Sequence, residues 1–413
     1  MLRERAKVQL VRDEELAKLL PVRVAIVEIT LTDGTTLTER VEAVRGTVRN
    51  PMSRAEVVDK ARDLMEPVLG TDRCKRLIEA VLAIEAVKNI RDLRPLLQLG
   101  FIDAHVHLDK ATAERGIENA VQSMPVENSS AYLFLPSPFN AHDPRAYDIE
   151  VIQAAASKHP GKVAAIGGGG TLNPMLQEAA QAGHTSPELE KRFRDRAYQI
   201  ARLGAAGFGE FAAEHRPSDS TPSYQSVPPD HRLLLMLADI AAETGLPITM
   251  HLEAVPRTMA LPPSWHVEGI APPKELTSNI VELERLLAHN ERAKVVWAHG
   301  GWDNTGHRTP ELCRQLLQAH PNLYMELKID PRRPGLNSPL TGGASGTLKP
   351  EWLKLFEDFP DRFVLGSDQH YPMPADNVQR WEGVVRLFNE LPPDLQRRFG
   401  TENARSIYRI SQQ

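Results

Sequence analysis

Eight short apolar segments recur from Phe101 onward, and longer amphipathic stretches separate them. Stretches such as DHRLLLMLADIAAETG carry apolar residues at helical spacing, whereas the short segments resemble buried strands. Strands that alternate with helices predict parallel βα units. Eight such units in roughly 300 residues predict an α/β fold of the (β/α)8 TIM-barrel type. The segments are FIDAHVHL, AYLFLPSP, VAAIGGGG, GFGEFAA, PITMHLEA, AKVVWAHGG, LYMELKI and RFVLGSD.

The first hundred residues have a different pattern. The segment VRVAIVEITLTDGTTLTERVEAV predicts a β-hairpin that turns at Asp33-Gly34. Two helices are expected to follow, from about Ser53 and about Asp72. We therefore predict two domains, a small α/β module over residues 1–97 and the barrel over residues 98–413.

Composition excludes several classes of protein. The formal net charge is −5, so no broad basic surface indicates nucleic acid or an anionic membrane as a partner. No apolar stretch reaches the length of a membrane span, and the charged N-terminus lacks the apolar centre of a signal peptide. Cys74 and Cys313 are the only cysteines, which argues against a disulfide framework. The expected setting is cytoplasmic, and the expected partner is a small-molecule substrate.

The segment FIDAHVHLD contains two histidines separated by one residue, His105 and His107. Side chains at positions i and i+2 of a strand lie on the same face, so both imidazoles would point the same way. Histidine is the usual ligand for zinc and similar metals. The pair therefore indicates a metal site at the end of a buried strand.

Four more candidate metal ligands fall at or near the ends of later predicted strands: Glu210, His251, His299 and Asp368. Taken singly, each has a structural alternative, namely a hydrogen-bonded core histidine, an ion-paired glutamate or an aspartate that caps a helix. In a parallel barrel, however, the C-terminal strand ends meet at one mouth. The joint placement predicts a catalytic site for one or two divalent metal ions, with zinc expected.

Motifs across the predicted barrel resemble those of the amidohydrolase superfamily, in particular its amidohydrolase-related branch. The resemblance depends on DAHVHL, MHLEA, WAHGG, LGSDQ and the terminal TENARSIYRI. It implies that His105, His107 and Asp368 bind the first metal and that His251 is the ligand from the fifth strand. By the same resemblance, His299 is either a second-metal ligand or a base and polarising group near the substrate. Glu210 is similar to the fourth-strand acid that binds a second metal in related hydrolases, so the metal count stays open.

A metal-dependent mechanism gives roles to further residues. Asp368 would take a proton from the metal-activated water and deliver it to the leaving group, and His299 would assist polarisation of the carbonyl. Arg308 and Lys328 are candidates to hold a substrate carboxylate, with a solvated surface role as the alternative. Trp302 would line the pocket or only pack a loop.

The N-terminal module resembles an unrelated family. The segment VEAVRGTVRNPMSRAEVVDKARDLMEPVLGTDR and the residues that follow it are similar to the C-terminal end of MmgE/PrpD proteins. This implies an accessory module without dehydratase activity, since the family's other domain is missing. The alternative is the small β-domain that many amidohydrolases carry before their first barrel strand. The exposed hairpin edge needs a cover. The expected cover is the outer helices of the barrel or the same module of a second subunit, and the second case would make the protein a homodimer.

The sequence therefore predicts a metal-dependent hydrolase that acts on a small carboxylate-bearing ester, lactone or amide. Two alternatives use the same metal site: a metal-dependent decarboxylase and a metal-binding scaffold that is not catalytic. A third, dehydration by the N-terminal module, is opposed by the missing catalytic portion.

Overall fold

A computed structural model describes residues 8–19, 24–97, 100–140, 142–217, 224–266, 273–329, 338–342, 347–372, 380–408 and 410. Internal contacts divide the chain into two compact units, Met1–Leu97 and Gln98–Gln413. Among the described residues, none of the helices combines the length and the apolar character that crossing a membrane requires.

The N-terminal unit contains the predicted hairpin and the two predicted helices. Asp33 accepts a hydrogen bond from the Thr35 N–H across the turn, and Gly34 has φ +84°. The first long helix begins after Ser53, which forms a capping box with Glu56 and satisfies two backbone N–H groups. The elements are helix α1 (Glu14–Ala17), strands β1 (Ala25–Thr30) and β2 (Thr36–Val41), and helices α2 (Arg54–Leu69), α3 (Thr71–Leu82) and α4 (Arg94–Leu97).

The second unit is a closed parallel barrel, as the alternating pattern predicts. Its described residues form eight consecutive strand positions, and each of the eight apolar segments supplies one of them. The strands are β3 (Phe101–Leu108), β4 (Ser129–Phe134), β5 (Val163–Gly168), β6 (Gly207–His215), β8 (Ile248–Leu252), β11 (Val295–Trp297), β12 (Leu323–Leu327) and an eighth position formed by β15 (Phe363–Leu365) with β16 (Gln369–Tyr371).

The divided eighth strand closes the ring. Its first half pairs with β12, so that Met325 is opposite Phe363. Its second half pairs with β3, so that His107 is opposite His370. The interruption between the halves contains Asp368, whose backbone N–H donates to the His105 carbonyl at 2.8 Å. Closure therefore brings a predicted metal ligand of the last strand beside those of the first.

Helices surround the barrel and cover its outer face. The inner face carries a separate small core that includes Ile102, Leu133, Ile166 and Val296, and Tyr408 of the last helix packs against it. The helices are α5 (Ala113–Glu127), α6 (Ile149–Ala156), α7 (Leu172–Ala182), α8 (Pro187–Arg202), α9 (Arg232–Thr244), α10 (Ile280–His289), α11 (Pro310–Ala319), α12 (Pro350–Asp358), α13 (Trp381–Glu390), α14 (Pro393–Arg397) and α15 (Asn403–Tyr408).

Short two-residue strands occur in the loops that follow the barrel strands. Two antiparallel pairs form, and one further segment adds to the end of β6. These strands are β7 (Gln225–Ser226), β9 (Met259–Ala260), β10 (Glu275–Leu276), β13 (Thr341–Gly342) and β14 (Thr347–Leu348). The loops at the C-terminal mouth are thus partly ordered by their own pairing.

Candidate metal centre

Two histidines of β3 point their Nε2 atoms at each other at the barrel mouth. His105 Nε2 and His107 Nε2 are 3.1 Å apart. Oε2 of Glu210 lies 3.5 Å from the first and 3.6 Å from the second. Asp368 Oδ1 lies 3.1 Å from His107 Nε2. Four of the six predicted ligands therefore form one cluster.

The other oxygen of Glu210 faces the remaining two histidines. Oε1 lies 3.2 Å from His251 Nδ1 and 3.1 Å from His299 Nε2. The structure thus brings five predicted ligands together in two groups that share the carboxylate of Glu210, and Asp368 joins the first group through His107. Such a shared carboxylate suits either one ion or a pair of neighbouring ions.

Two of these residues have an unusual backbone conformation. His299 has φ +62° and Asp368 has φ +55°, in the left-handed region that residues other than glycine seldom adopt. Strain of this kind persists only where surrounding contacts hold it, and it concentrates at functional sites. Here a buried Asp103 carboxylate accepts hydrogen bonds from the backbone N–H groups of Ser367 and His105. It joins the first and last strands beside the site.

The arrangement of the ring nitrogens fits a bound cation. His107 Nδ1 lies 2.9 Å from the Leu135 carbonyl, which can only accept, so Nδ1 carries the proton and Nε2 is a bare lone pair. His105 Nδ1 lies 2.5 Å from Glu326 Oε2, with the same consequence for its Nε2. Two lone pairs 3.1 Å apart repel unless a cation lies between them. Two nitrogens at about 2.1 Å from one zinc-type ion lie about 3.0–3.4 Å apart.

Charge at the site also favours a cation. Burial opposes protonation of His105, but the charges of Glu326 and Glu210 outweigh it and raise the pKa of His105 well above its usual value. Burial likewise opposes ionisation of Glu210, yet the His105 charge and the surrounding histidines hold its pKa well below the usual range. In His299, burial and the charge of Lys328 lower the pKa, so the ring stays neutral and able to bind a metal. The ionised carboxylates therefore favour a positive charge at His105, and a metal ion at its Nε2 atom can supply that charge in place of a second proton.

Asp368 is held on its far side by two cations. Lys328 Nζ donates to Asp368 Oδ2, and Arg380 Nη1 donates to the same oxygen at 2.7 Å and to the Asp368 carbonyl at 2.6 Å. Burial disfavours the charge of Asp368, but Lys328 and Arg380 outweigh it and keep the pKa well below its ordinary value. Oδ1 consequently remains an ionised ligand atom that faces His107.

The three predicted substrate-binding residues have different surroundings. Lys328 is buried at the site, and its Nζ lies 4.9 Å from the ring centroid of Trp302, so these two residues line the same side. Arg308 is 2 % exposed, and its guanidinium donates to the carbonyls of Ala298, His299 and Leu252. The prediction that Arg308 holds a substrate carboxylate is therefore wrong. Its donors stabilise the loop after β11.

Four further polar residues contact the cluster and were not predicted from the sequence. Glu326 of β12 touches His105, Glu253 lies 3.6 Å from His251 Nε2, Arg380 contacts Asp368, and the His370 ring lies 4.7 Å from that of His107. The available signal was an acid in the middle of an apolar strand, LYMELKI, since an unpaired buried charge is costly. Arg380 had no such signal.

Comparison with known proteins adds a family. Residues 190–410, just over half of the chain, match the family model described as Amidohydrolase. Residues 2–86 match the model of the MmgE/PrpD C-terminal domain. Both resemblances inferred from the motifs are thereby confirmed. No curated protein matches the sequence.

Several solved structures are loosely similar. A probable 2-pyrone-4,6-dicarboxylic acid hydrolase from Acinetobacter baumannii has 10% identity and a TM-score of 0.43, over 75% of this chain and 99% of that one. A 2,6-dihydroxybenzoate decarboxylase from Rhizobium has 12% identity and a TM-score of 0.45, over 76% and 99%. A dihydroxybenzoic acid decarboxylase from Polaromonas sp. JS666, with bound manganese, has 11% identity and a TM-score of 0.44, over 76% and 98%. At such low scores, nothing about this chain's reaction follows from them.

Proposed function

The chain belongs to the amidohydrolase family, and from this premise we propose that it is a metal-dependent hydrolase of a small carboxylate-bearing ester, lactone or amide. The observation that carries the proposal is the convergence of the Nε2 atoms of His105 and His107, 3.1 Å apart, on the carboxylate of Glu210. We propose zinc as the metal, since a set of histidines and carboxylates suits it. One or two ions would fit the shared carboxylate.

Six residues would hold the metal: His105, His107, Glu210, His251, His299 and Asp368. A bound divalent ion supplies Lewis-acid polarisation of a substrate carbonyl and of the attacking water. Asp368 presents Oδ1 to the site and would accept the proton of the attacking water, then pass it to the leaving group. The ion pairs with Lys328 and Arg380 hold that carboxylate in place. His299 lies beside Glu210 and would orient the substrate carbonyl.

The substrate class follows from the cations beside Asp368. Arg380 engages only its Nη1 atom with the described residues, and the side chain is 20% exposed. Within the described part of the chain, its Nε and Nη2 donors have no partner, and a guanidinium can grip a carboxylate with two hydrogen bonds. Lys328 adds a second positive charge and Trp302 an apolar wall. Together they favour a small anionic substrate.

Elemental analysis and a substrate panel test this proposal. Purified protein, before and after incubation with zinc, is analysed for metals and assayed with lactones, esters and amides that differ only in a carboxylate. We expect bound metal and faster turnover of the carboxylate-bearing member of each pair. Carbon dioxide released without net hydrolysis would instead show the decarboxylase. Metal-loaded protein that turns over no member of the panel would contradict the proposed reaction.

A further inference from the structure

One buried carboxylate contacts two of the proposed metal-binding histidines from behind. Glu326 of β12 is fully buried, and its Oε2 lies 2.5 Å from His105 Nδ1. Its Oε1 lies 3.3 Å from His299 Nδ1. The rings of the two histidines are 4.6 Å apart. A single side chain thus faces the outer nitrogens of ligands from the first and the sixth barrel strands.

We propose that Glu326 is a positioning residue that fixes the tautomer of both His105 and His299, and so prepares both groups of ligands around Glu210 to bind metal. The inference rests on the proposed metal-dependent function. A carboxylate only accepts hydrogen bonds, so both Nδ1 atoms that face it must carry protons. Both Nε2 atoms are then bare and point toward Glu210. Outer partners of ligand histidines commonly act in this way.

The alternative, that Glu326 itself binds the ion, does not fit the distances. His105 Nδ1 and Glu326 Oε2 are 2.5 Å apart, which leaves room for a shared proton. An ion at about 2 Å from each atom would need a strongly compressed angle. The Nε2 side of His105, in contrast, lies 3.5 Å from Glu210 Oε2. Metal binding therefore belongs on the Nε2 side, and Glu326 lies behind the ligands.

The surrounding backbone leaves Glu326 little freedom. A Cβ at Gly366 would lie 2.5 Å from Glu326 Cδ, so only glycine leaves room for the carboxyl group. The Gly300 N–H donates to the Glu326 carbonyl at 2.5 Å and ties the residue after His299 to the same strand. His299 Nδ1 and Glu326 Oε1 lie 3.3 Å apart, and neither has a hydrogen-bond partner of good geometry among the described residues. Since buried polar atoms are normally paired, these two atoms are matched to each other.

Replacement of Glu326 by glutamine separates its effect on the His105 tautomer from its effect on the His299 tautomer. The amide has one oxygen that accepts and one NH2 group that donates, so it can satisfy only one Nδ1–H. His105 is the nearer partner and keeps the oxygen. His299 then faces a donor, so its proton moves to Nε2 and blocks the lone pair that faces Glu210. Only the His251–His299 group of ligands should lose its metal.

Glu127→Gln is a matched control. Glu127 is also buried, and it also accepts hydrogen bonds from two side chains, the hydroxyl groups of Tyr132 and Tyr371. A hydroxyl group can donate or accept, so either tyrosine can reverse its bond to the amide. This variant makes the same chemical change without touching a histidine. It should leave the histidine tautomers and the bound metal as they are in the wild type.

The test is long-range ¹H–¹⁵N correlation NMR on zinc-loaded full-length protein with ¹⁵N-labelled histidine, together with zinc titration. We expect Nδ1–H on both His105 and His299 in the wild type. In Glu326→Gln, His299 should change to Nε2–H, and zinc should bind roughly 10- to 100-fold more weakly at its position, while His105 is unchanged. Unaltered tautomers in this variant would overturn the inference. If the variant does not fold, a proton on Nε2 of either histidine in the wild type would overturn it. Wild-type protein that takes up no zinc would instead refute the proposed function.

Discussion

The N-terminal unit and the barrel form their strands from similar local signals but bury them very differently. Every residue of β1 is exposed, whereas every residue of β3 is buried. In the hairpin, the register places Val27, Ile29 and Leu37 on one face, and Ile29 and Leu37 are both 53% exposed. The hairpin therefore presents an apolar face that the described residues of its own unit do not cover.

This difference shows what local sequence signals determine and what they leave open. A turn, a capping box and alternating residues suffice to form the hairpin and helices of the N-terminal unit. A two-stranded hairpin is only marginally stable on its own, because it has no core. In the barrel, each strand is covered on both faces, which allows costly features such as buried charges and left-handed residues to persist. We propose that the chemistry resides in the barrel and that the N-terminal unit contributes none of it.

The largest expected contrast between the two units concerns turnover. Asp368→Asn removes the proposed proton acceptor and weakens a metal ligand, so turnover should fall roughly a hundred- to ten-thousand-fold. The same replacement at Asp59, an exposed residue of α2 that pairs with Arg62, should leave turnover unchanged. Steady-state kinetics of both variants and the wild type, with the metal content of each measured in parallel, tests this prediction. An Asp368→Asn enzyme with normal turnover and normal metal would exclude Asp368 as the base.

The second contrast concerns packing. Phe208 lies buried in the barrel core, so Phe208→Ala should lower the free energy of unfolding by about 3–5 kcal/mol. Leu64 of α2 is 66% exposed, and Leu64→Ala should change the free energy of unfolding by less than about 0.5 kcal/mol. Urea unfolding can distinguish the two units. Tryptophan fluorescence follows the barrel alone, because all five tryptophans lie in it, whereas circular dichroism follows the helices and strands of both units. A large cost at Leu64 would show that this face is covered in solution.

A third prediction compares how the stability of the barrel and that of the N-terminal unit depend on pH. Burial raises the pKa of Glu214, beside the barrel mouth, to about 7. Between the unfolded value near 4.3 and this folded value, the native state holds a proton that the unfolded chain has lost. Stability should therefore fall as the pH rises from about 4.3 to about 7 and should change no further above it.

Glu214→Gln removes this effect. At pH 8 the variant should be more stable than the wild type, by roughly 4 kcal/mol at most, and at pH 4 the two should be nearly equal. Urea unfolding followed by tryptophan fluorescence at both pH values measures the difference. Glu39→Gln in the exposed β2 is the matched control. Equal stability of Glu214→Gln and wild type at pH 8 would show that Glu214 is solvated.

The smallest expected effect concerns the hairpin. Ile29→Ser should leave metal content unchanged and alter barrel stability by less than about 0.5 kcal/mol. If a second copy of the chain covers the apolar face, as we propose, the variant should shift from dimer to monomer. Sedimentation velocity of both proteins at equal concentration measures this. Wild-type protein that sediments as a monomer would contradict the proposal that a second copy covers the hairpin.

Much of the architecture could be predicted from the sequence because it depends on periodicity. Each of the eight apolar segments became a barrel strand, the hairpin formed at its turn residues, and the first of the two helices formed at its capping residue Ser53. The ligands at strand ends could be proposed because a closed barrel brings those ends together. Their neighbours were not predicted. The acid within LYMELKI marks Glu326 as unusual, but its contact with His105 joins residues far apart in sequence, so a local pattern does not identify the partner.

The error at Arg308 has a similar cause. Its position just after the sixth strand suggested an exposed cation that faces a substrate. The chain instead folds back, so that three backbone carbonyls surround the guanidinium, which lies 4.4 Å from the Trp297 ring centroid. Arg380, which contacts Asp368, lies in the loop after the last strand, and no sequence motif identifies it as a residue of the site. The direction of a loop side chain depends on tertiary packing, which a single sequence does not reveal.

The most direct test of the central claim is the zinc-binding stoichiometry of the full-length protein compared with Glu210→Gln. In the structure, Glu210 faces all four predicted histidine ligands through its two carboxylate oxygens. Equilibrium dialysis against zinc, with elemental analysis of the retained protein, should show at least one tightly bound ion per wild-type chain. Glu210→Gln should bind zinc markedly more weakly while remaining folded. A wild-type chain that retains no zinc, or a folded Glu210→Gln chain that binds it as tightly as the wild type, would contradict the account.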